Sequence, residues 1–164
     1  MATGYAPSSM YRSREGMGVW EHRGKVAAVG VGHSPTERRW DEKPETSVGA
    51  WSIMALRNAI ADAGIAPDQV DGIVIVPETT TGAFWPDDKP LPQDVIEAFV
   101  QTNDPLDGIA KLSVDWLLKN MPELTNINYS VYAPVCMSNA LNVAAQVVGD
   151  GLAHTVLVLK AWHN

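Results

Sequence analysis

The sequence predicts an α/β domain built on a mainly parallel sheet with helices on both faces. Three short apolar runs, VAAVGV (26–31), GIVIV (72–76) and TVLVLK (155–160), have the composition of strands buried on both faces. A fourth, INYSVY (127–132), alternates, with Ile127, Tyr129 and Val131 on one face. Between these runs lie segments with apolar residues at helical spacing. Strands alternating with helices imply right-handed crossovers in a parallel sheet.

Each element has its own justification. Residues 1–23 are polar and glycine-rich and read as an irregular arm; the regular text occupies 24–164. After the first strand comes a loop, HSPTERRWDEKPE, too charged and proline-rich for a core. Thr46 or Ser47 caps a helix running to Ala63, with Val48, Trp51, Ala55, Ile60 and Ala63 inward and Gly64 as its stop. Gly72 to Val76 then closes a β-helix-β unit. Residues 77–107 interrupt the rhythm as an inserted loop with five prolines, and DVIEAFV (94–100) makes a short helix inside it. Phe84, Trp85 and Leu91 are apolar groups that a plain solvent loop would avoid, so they are expected to cover a substrate entrance or an interface. Ile109 to Asn120 reads as a helix, with Ile109, Leu112, Trp116 and Leu117 inward. A last helix starts at Met137 or Ser138 and runs to Val148, with Ala140, Ala144 and Ala145 suited to close packing.

Composition removes several function classes. Apolar residues make up 46% and charged residues 19%, which is the balance of a globular chain. Twelve Lys and Arg against nineteen Asp and Glu give a net charge of −7, without the basic footprint that nucleic-acid binding needs. No apolar run approaches the ~20 residues of a membrane span. The N-terminus has no apolar stretch of a secretory signal. One cysteine, Cys136, allows no intrachain disulfide, and the expected location is the cytoplasm. Gly30 and Gly32 follow a strand without a third glycine, so the dinucleotide fingerprint fails. His22, His33, His154 and His163 lack ligand neighbours at helical spacing, and no metal site is expected.

The informative segment is INYSVYAPVCMSNALNVAAQVVGDGLAHTVLVL. A strand runs into a tight Pro134–Cys136 bend and then into a helix of small residues. A side chain at such a bend stands above the sheet at a helix N-terminus, where the dipole favours a thiolate. This order of elements resembles the N-terminal half of the thiolase superfamily, nearest its lipid-transfer (sterol-carrier-protein-x-like) thiolases and the steroid side-chain retro-aldolases. GKVAAVGVGHSP, ALRNAIADAGIAPDQVDGIVIV and NALNVAAQVVGDGLAHTVLVLKAW carry the resemblance, which covers most of 24–162; the 77–107 insert matches no family pattern. Counted back from GDGLAH without gaps, the family's nucleophile position falls on Pro134, two residues before Cys136.

The resemblance implies a thiolase-like half-fold, and a first half of an enzyme making or breaking a C–C bond in an acyl-CoA. The chemistry is thiolysis with acyl transfer if Cys136 is the catalytic nucleophile, and retro-aldol cleavage of a steroid or lipid side-chain CoA ester if it is a buried small hydrophobe. Met137, Ser138 and Asn139, at the helix start, are the expected oxyanion region. No bound cofactor is implied; the coenzyme A thioester is the substrate. The family's catalytic histidine belongs to a second half, so the chain is expected to be inactive without one. The resemblance also implies a homodimer paired antiparallel along Ile127, Tyr129 and Val131. The alternative is a non-catalytic acyl-CoA or lipid carrier, or a scaffold subunit, that docks a small OB-fold partner.

Overall fold

The computed structural model describes residues 20–76, 85–86, 88–133 and 136–161. Of the sequence features above, the arm up to residue 19, the insert's residues 77–84 (Phe84 among them) and 87, the bend's 134–135 and His163 lie outside them. The architecture is three-layered. In chain order the elements are α1 (Val48–Ala63), β1 (Gly72–Ile75), α2 (Gln93–Ala98), α3 (Val114–Asn120), β2 (Tyr129–Tyr132), α4 (Met137–Gly149) and β3 (Val156–Leu159). The described sheet has the order β2-β1-β3, and both pairings are parallel.

α1 begins where the sequence allows a cap. The Ser47 side chain accepts the Ala50 N–H at 3.1 Å, and Gly64 (φ 66°) ends the helix in the left-handed conformation that glycine adopts without a Cβ penalty. α1 and α3 cover one face of the sheet. There Leu56, Ile60, Trp116 and Leu117 bury Ile73, Ile75, Leu157 and Leu159. α4 covers the other face, where Ala140 and Ala144 lie against Val74 and Val76. Small residues on α4 let its backbone come close to the strands, as the sequence predicts. A third cluster is built by the insert: Val95, Ile109 and Ala110 with Trp40, Trp85, Leu91 and Phe99 around them.

Four expectations are corrected. Val26 to Val31 is not a strand: Val29 and Val31 are 62% and 75% exposed. β1 already has a parallel neighbour on each side, and the segment lies along α1 instead. Gly30 and Gly32 permit that approach, since a Cβ on Gly30 would stand 2.7 Å from the Ala63 nitrogen and one on Gly32 would strike Ala55 and Ala59. The Val31 N–H donates to Asp62 at 2.9 Å and the Asn58 amide to the His33 carbonyl at 3.3 Å. This contact also shifts the buried face of α1, which is Val48, Ser52, Ile53, Leu56 and Ile60; Trp51, Ala55 and Ala63 are half-buried.

The third helix starts at Val114 and not at Ile109. Gly108 has φ 80°, Asp107 and Lys111 form an isolated bridge, and Ser113 is the cap that accepts the Trp116 N–H at 3.0 Å. Ile109 and Leu112 are still buried, in the turn before it. Ile127 lies outside β2 and packs with the α1–α3 cluster, whereas Val131 packs with the α4 cluster, so the two do not share a face. On β3, Leu157 and Leu159 pack into the α1–α3 cluster and Val156 and Val158 against the α4 cluster. What remains open in the described sheet is its two edges. Among the described residues no helix is long and apolar enough to cross a membrane.

Candidate active site

The three strands end together. The Ala133 N–H donates to the Ile75 carbonyl at 2.8 Å and the Val76 N–H to the Leu159 carbonyl at 2.9 Å. Ala133, Val76 and Lys160 therefore sit side by side at the carboxyl edge of the sheet, where open α/β sheets place their ligands. Cys136 follows Ala133 by three residues and is the N-cap of α4, with extended φ −151° and ψ 162°.

The Cys136 thiol is half-buried and lies 3.0 Å from the Ser138 hydroxyl. Its pKa is pulled below the ordinary thiol value. The Ser138 hydroxyl is the largest cause and the Asn139 N–H the next; burial opposes them, and the Ser138 N–H and the Lys160 charge add to the lowering. These are the groups that a thiolate at a helix start needs. The sequence singled out Met137, Ser138 and Asn139 as oxyanion donors. The structure places all three in the first turn of α4. The Asn139 N–H turns back on the Cys136 carbonyl at 3.1 Å, as does the Ala140 N–H at the same distance. Met137 and Ser138 carry the N–H groups that precede this ladder.

Other sequence-predicted residues fall elsewhere. Trp85 and Leu91 are half-buried in the insert's own cluster, where Trp85 meets Trp40 at 5.9 Å between ring centroids and carries Lys89 4.0 Å above its ring. Tyr129 and Val131 lie half-buried on β2, the edge strand beside β1. His22 and His154 are remote from Cys136. His22 sits at the opposite end of α4, about 20 Å away at 1.5 Å per residue, and His154 at the opposite end of the sheet, bonded to Asp71 at 2.9 Å. Sequence reasoning missed one convergence: His22 Nε2 lies 2.8 Å from Asp150 and 3.6 Å from Glu21. Nothing local signals it, because His22 and Asp150 are 128 residues apart.

The comparison that decides the fold is with the solved structure of an Ltp2-ChsH2(DUF35) aldolase, which superimposes on 83% of this chain at a TM-score of 0.52 and 20% identity. The fold is thiolase-like. The match takes in 27% of the aldolase chain, so this thiolase-like unit spans about a quarter of that protein's length. The priming β-ketosynthase of the R1128 polyketide pathway matches 82% of this chain and 41% of its own at 15% identity, with a TM-score of 0.43. No family model and no curated protein matches the sequence. The likeness therefore speaks to the fold alone, a parallel sheet with helices consistent with a thiolase-like half-fold.

Proposed function

We propose that the chain is the first half of a thiolase-like enzyme that makes or breaks a C–C bond in an acyl-CoA. The observation that carries this reading is the Cys136 thiol. It sits at the carboxyl edge of a parallel sheet, on the cap of α4, with its pKa lowered first by Ser138. In thiolysis the Cys136 thiolate attacks the β-keto carbonyl, the Cα–Cβ bond breaks, the thioester enolate leaves and is protonated at Cα, and free CoA takes the acyl group from sulfur. In retro-aldol cleavage a base removes the β-hydroxyl proton, the same bond breaks, and an aldehyde or ketone departs from the same enolate. Both need N–H donors for an oxyanion, and Met137 and Ser138 supply candidates. The Ltp2-ChsH2(DUF35) aldolase supports the retro-aldol form and a partner subunit.

A second half supplies the base. α4 has no charged residue in thirteen positions, and Met137 and Leu141 are exposed on its outer side, features of a helix covered within a larger body. A two-fold contact along β2 and a small OB-fold partner belong to the same reading. The test is Cys136→Ala in the complete assembly, with β-hydroxyacyl-CoA and β-ketoacyl-CoA as substrates. Loss of β-ketoacyl-CoA cleavage supports thiolysis. Undiminished β-hydroxyacyl-CoA cleavage supports the aldolase. No turnover of either by the wild-type assembly, with acyl-CoA bound, overturns the enzyme in favour of a carrier.

A further inference from the structure

The far end of α4 carries a cluster of side chains that the proposed function leaves unused. Asp150 is the C-cap of the helix, an anion at the end where the helix dipole is already negative, and the last turn holds no basic residue to offset it. Glu21 brings a second carboxylate to the same place, from the turn at residues 21–25. His22 reaches both: its Nε2 lies 2.8 Å from Asp150 Oδ1 and 3.6 Å from Glu21 Oε1. The three atoms all lie within 4.8 Å of one another.

The imidazole at the centre of this cluster is fixed by packing. Its side chain is 12% exposed. It rests on Gly149, where an added Cβ would stand 2.8 Å from the His22 Cβ and nearer still to the ring. Trp20 meets the ring edge-on at 5.4 Å between centroids and donates its indole N–H to Gln146 Oε1 at 2.8 Å. The same amide donates from Nε2 to Asp150 Oδ1 at 2.9 Å. Asp150 is therefore oriented by a side chain that is itself oriented, the support that ligating carboxylates have in metal sites. The spacing fits as well. Ligand atoms ~2.0–2.1 Å from a tetrahedral ion stand ~3.3–3.4 Å from one another, between the two distances found around His22 Nε2. The carboxylates of Glu21 and Asp150, 76% and 40% exposed, are free to make up the difference.

We propose that Glu21, His22 and Asp150 bind a divalent cation of the zinc class, with water completing the coordination. The ion takes the place of the proton shared by His22 Nε2 and Asp150, and that proton passes to solvent. An imidazole beside two carboxylates favours Zn²⁺ over Mg²⁺ or Ca²⁺, which take oxygen ligands. His22 and Asp150 are 128 residues apart, so the ion ties the turn at 21–25 to the end of α4 remote from Cys136.

The test is calorimetric titration of the full chain, without an affinity tag and stripped with EDTA, with Cys136 alkylated so that the thiol takes no part. Zn²⁺ should bind at one equivalent, and millimolar Mg²⁺ should not compete. Gln146→Ala, which removes only the support of Asp150, should weaken binding about tenfold. His22→Phe, which keeps a ring on Gly149, and Asp150→Asn each remove a ligand and should weaken it further. Saturating Zn²⁺ should raise the urea midpoint of wild type, reversibly with EDTA, and leave those two variants unmoved. No binding by wild type up to millimolar Zn²⁺, equal occupation by Mg²⁺, or an unchanged affinity in folded His22→Phe and Asp150→Asn overturns the proposal. Should either variant fail to fold by circular dichroism, Glu21→Gln replaces an exposed ligand, and an unchanged affinity there refutes the site. No turnover is measured, so failure here and failure of the acyl-CoA reading are separate results.

Discussion

Replacing Gly49 with alanine should destabilise the chain, although the same change inside a helix ordinarily stabilises by about 1 kcal/mol. Gly49 lies in the first turn of α1 and is buried against Trp116. A Cβ there would stand 2.8 and 2.9 Å from Cζ2 and Cζ3 of the indole, and nearer still to Cη2. The ring has no room to retreat. Gly108, at φ 80° and accepting the Gly49 N–H at 3.1 Å, would itself place a Cβ 2.6 Å from Nε1, and Trp116 is fully buried. Overpacking of this kind costs about 1–3 kcal/mol. A fully buried ring in contact with two glycines belongs in the upper part of that range, so the net loss is about 1–2 kcal/mol after the helix gain is subtracted. Urea unfolding followed by tryptophan fluorescence reads it as a lower midpoint at unchanged slope. Adding Trp116→Phe makes room, and in that background the alanine should cost less than it does alone. A midpoint for Gly49→Ala equal to or above wild type would refute the close approach of α1 to Trp116.

Ser47→Ala removes the α1 cap together with the hydroxyl's bond to the Pro44 carbonyl at 2.8 Å, and should lower stability by about 1 kcal/mol in the same urea assay. Ser138→Ala should raise the pH midpoint of Cys136 alkylation, since that hydroxyl is the largest cause of the lowered thiol; an unchanged midpoint would remove Ser138 from the site. Asp71 gives a pH-dependent stability. Burial pushes its carboxyl up, but the Thr155 N–H and the ring and N–H of His154 outweigh burial and hold it below the ordinary value. That stabilisation is present above the unfolded-state pKa of about 3.9 and is lost as pH falls toward the folded value. The gap in urea midpoint between wild type and Asp71→Asn should therefore narrow from about pH 6 to about pH 3, and a constant gap would count against the assignment.

The elements legible in the sequence are those whose local pattern and tertiary setting agree. Gly72–Ile75 is apolar at every position because helices cover both faces, and Ser47 and Gly64 bracket α1 with chemistry that works within four residues. β2 and the small-residue helix α4 are legible for the same reason, since each carries its pattern within a few contiguous residues. Val26 to Val31 failed because a strand-like composition does not choose a partner. Gly30 and Gly32, weighed in the sequence only against a dinucleotide fingerprint, mark a close approach to α1. The start of α3 was misplaced because Ile109 and Leu112 keep helical spacing while Gly108 and Ser113, a left-handed glycine and a cap, argue for a later start.

The insert shows where sequence reasoning stops. Its aromatic residues among prolines read as cover for a substrate entrance or an interface; in the structure Trp85 and Leu91 join one cluster with Trp40, from a loop more than forty residues earlier. No pattern in the sequence sets Asp107 apart from the other acids of an acidic chain. Its burial is decided by Thr102 and Ser113 on either side. A carboxylate placed in such a site is held by donors and not by apolar surface, so hydropathy patterning carries no trace of it.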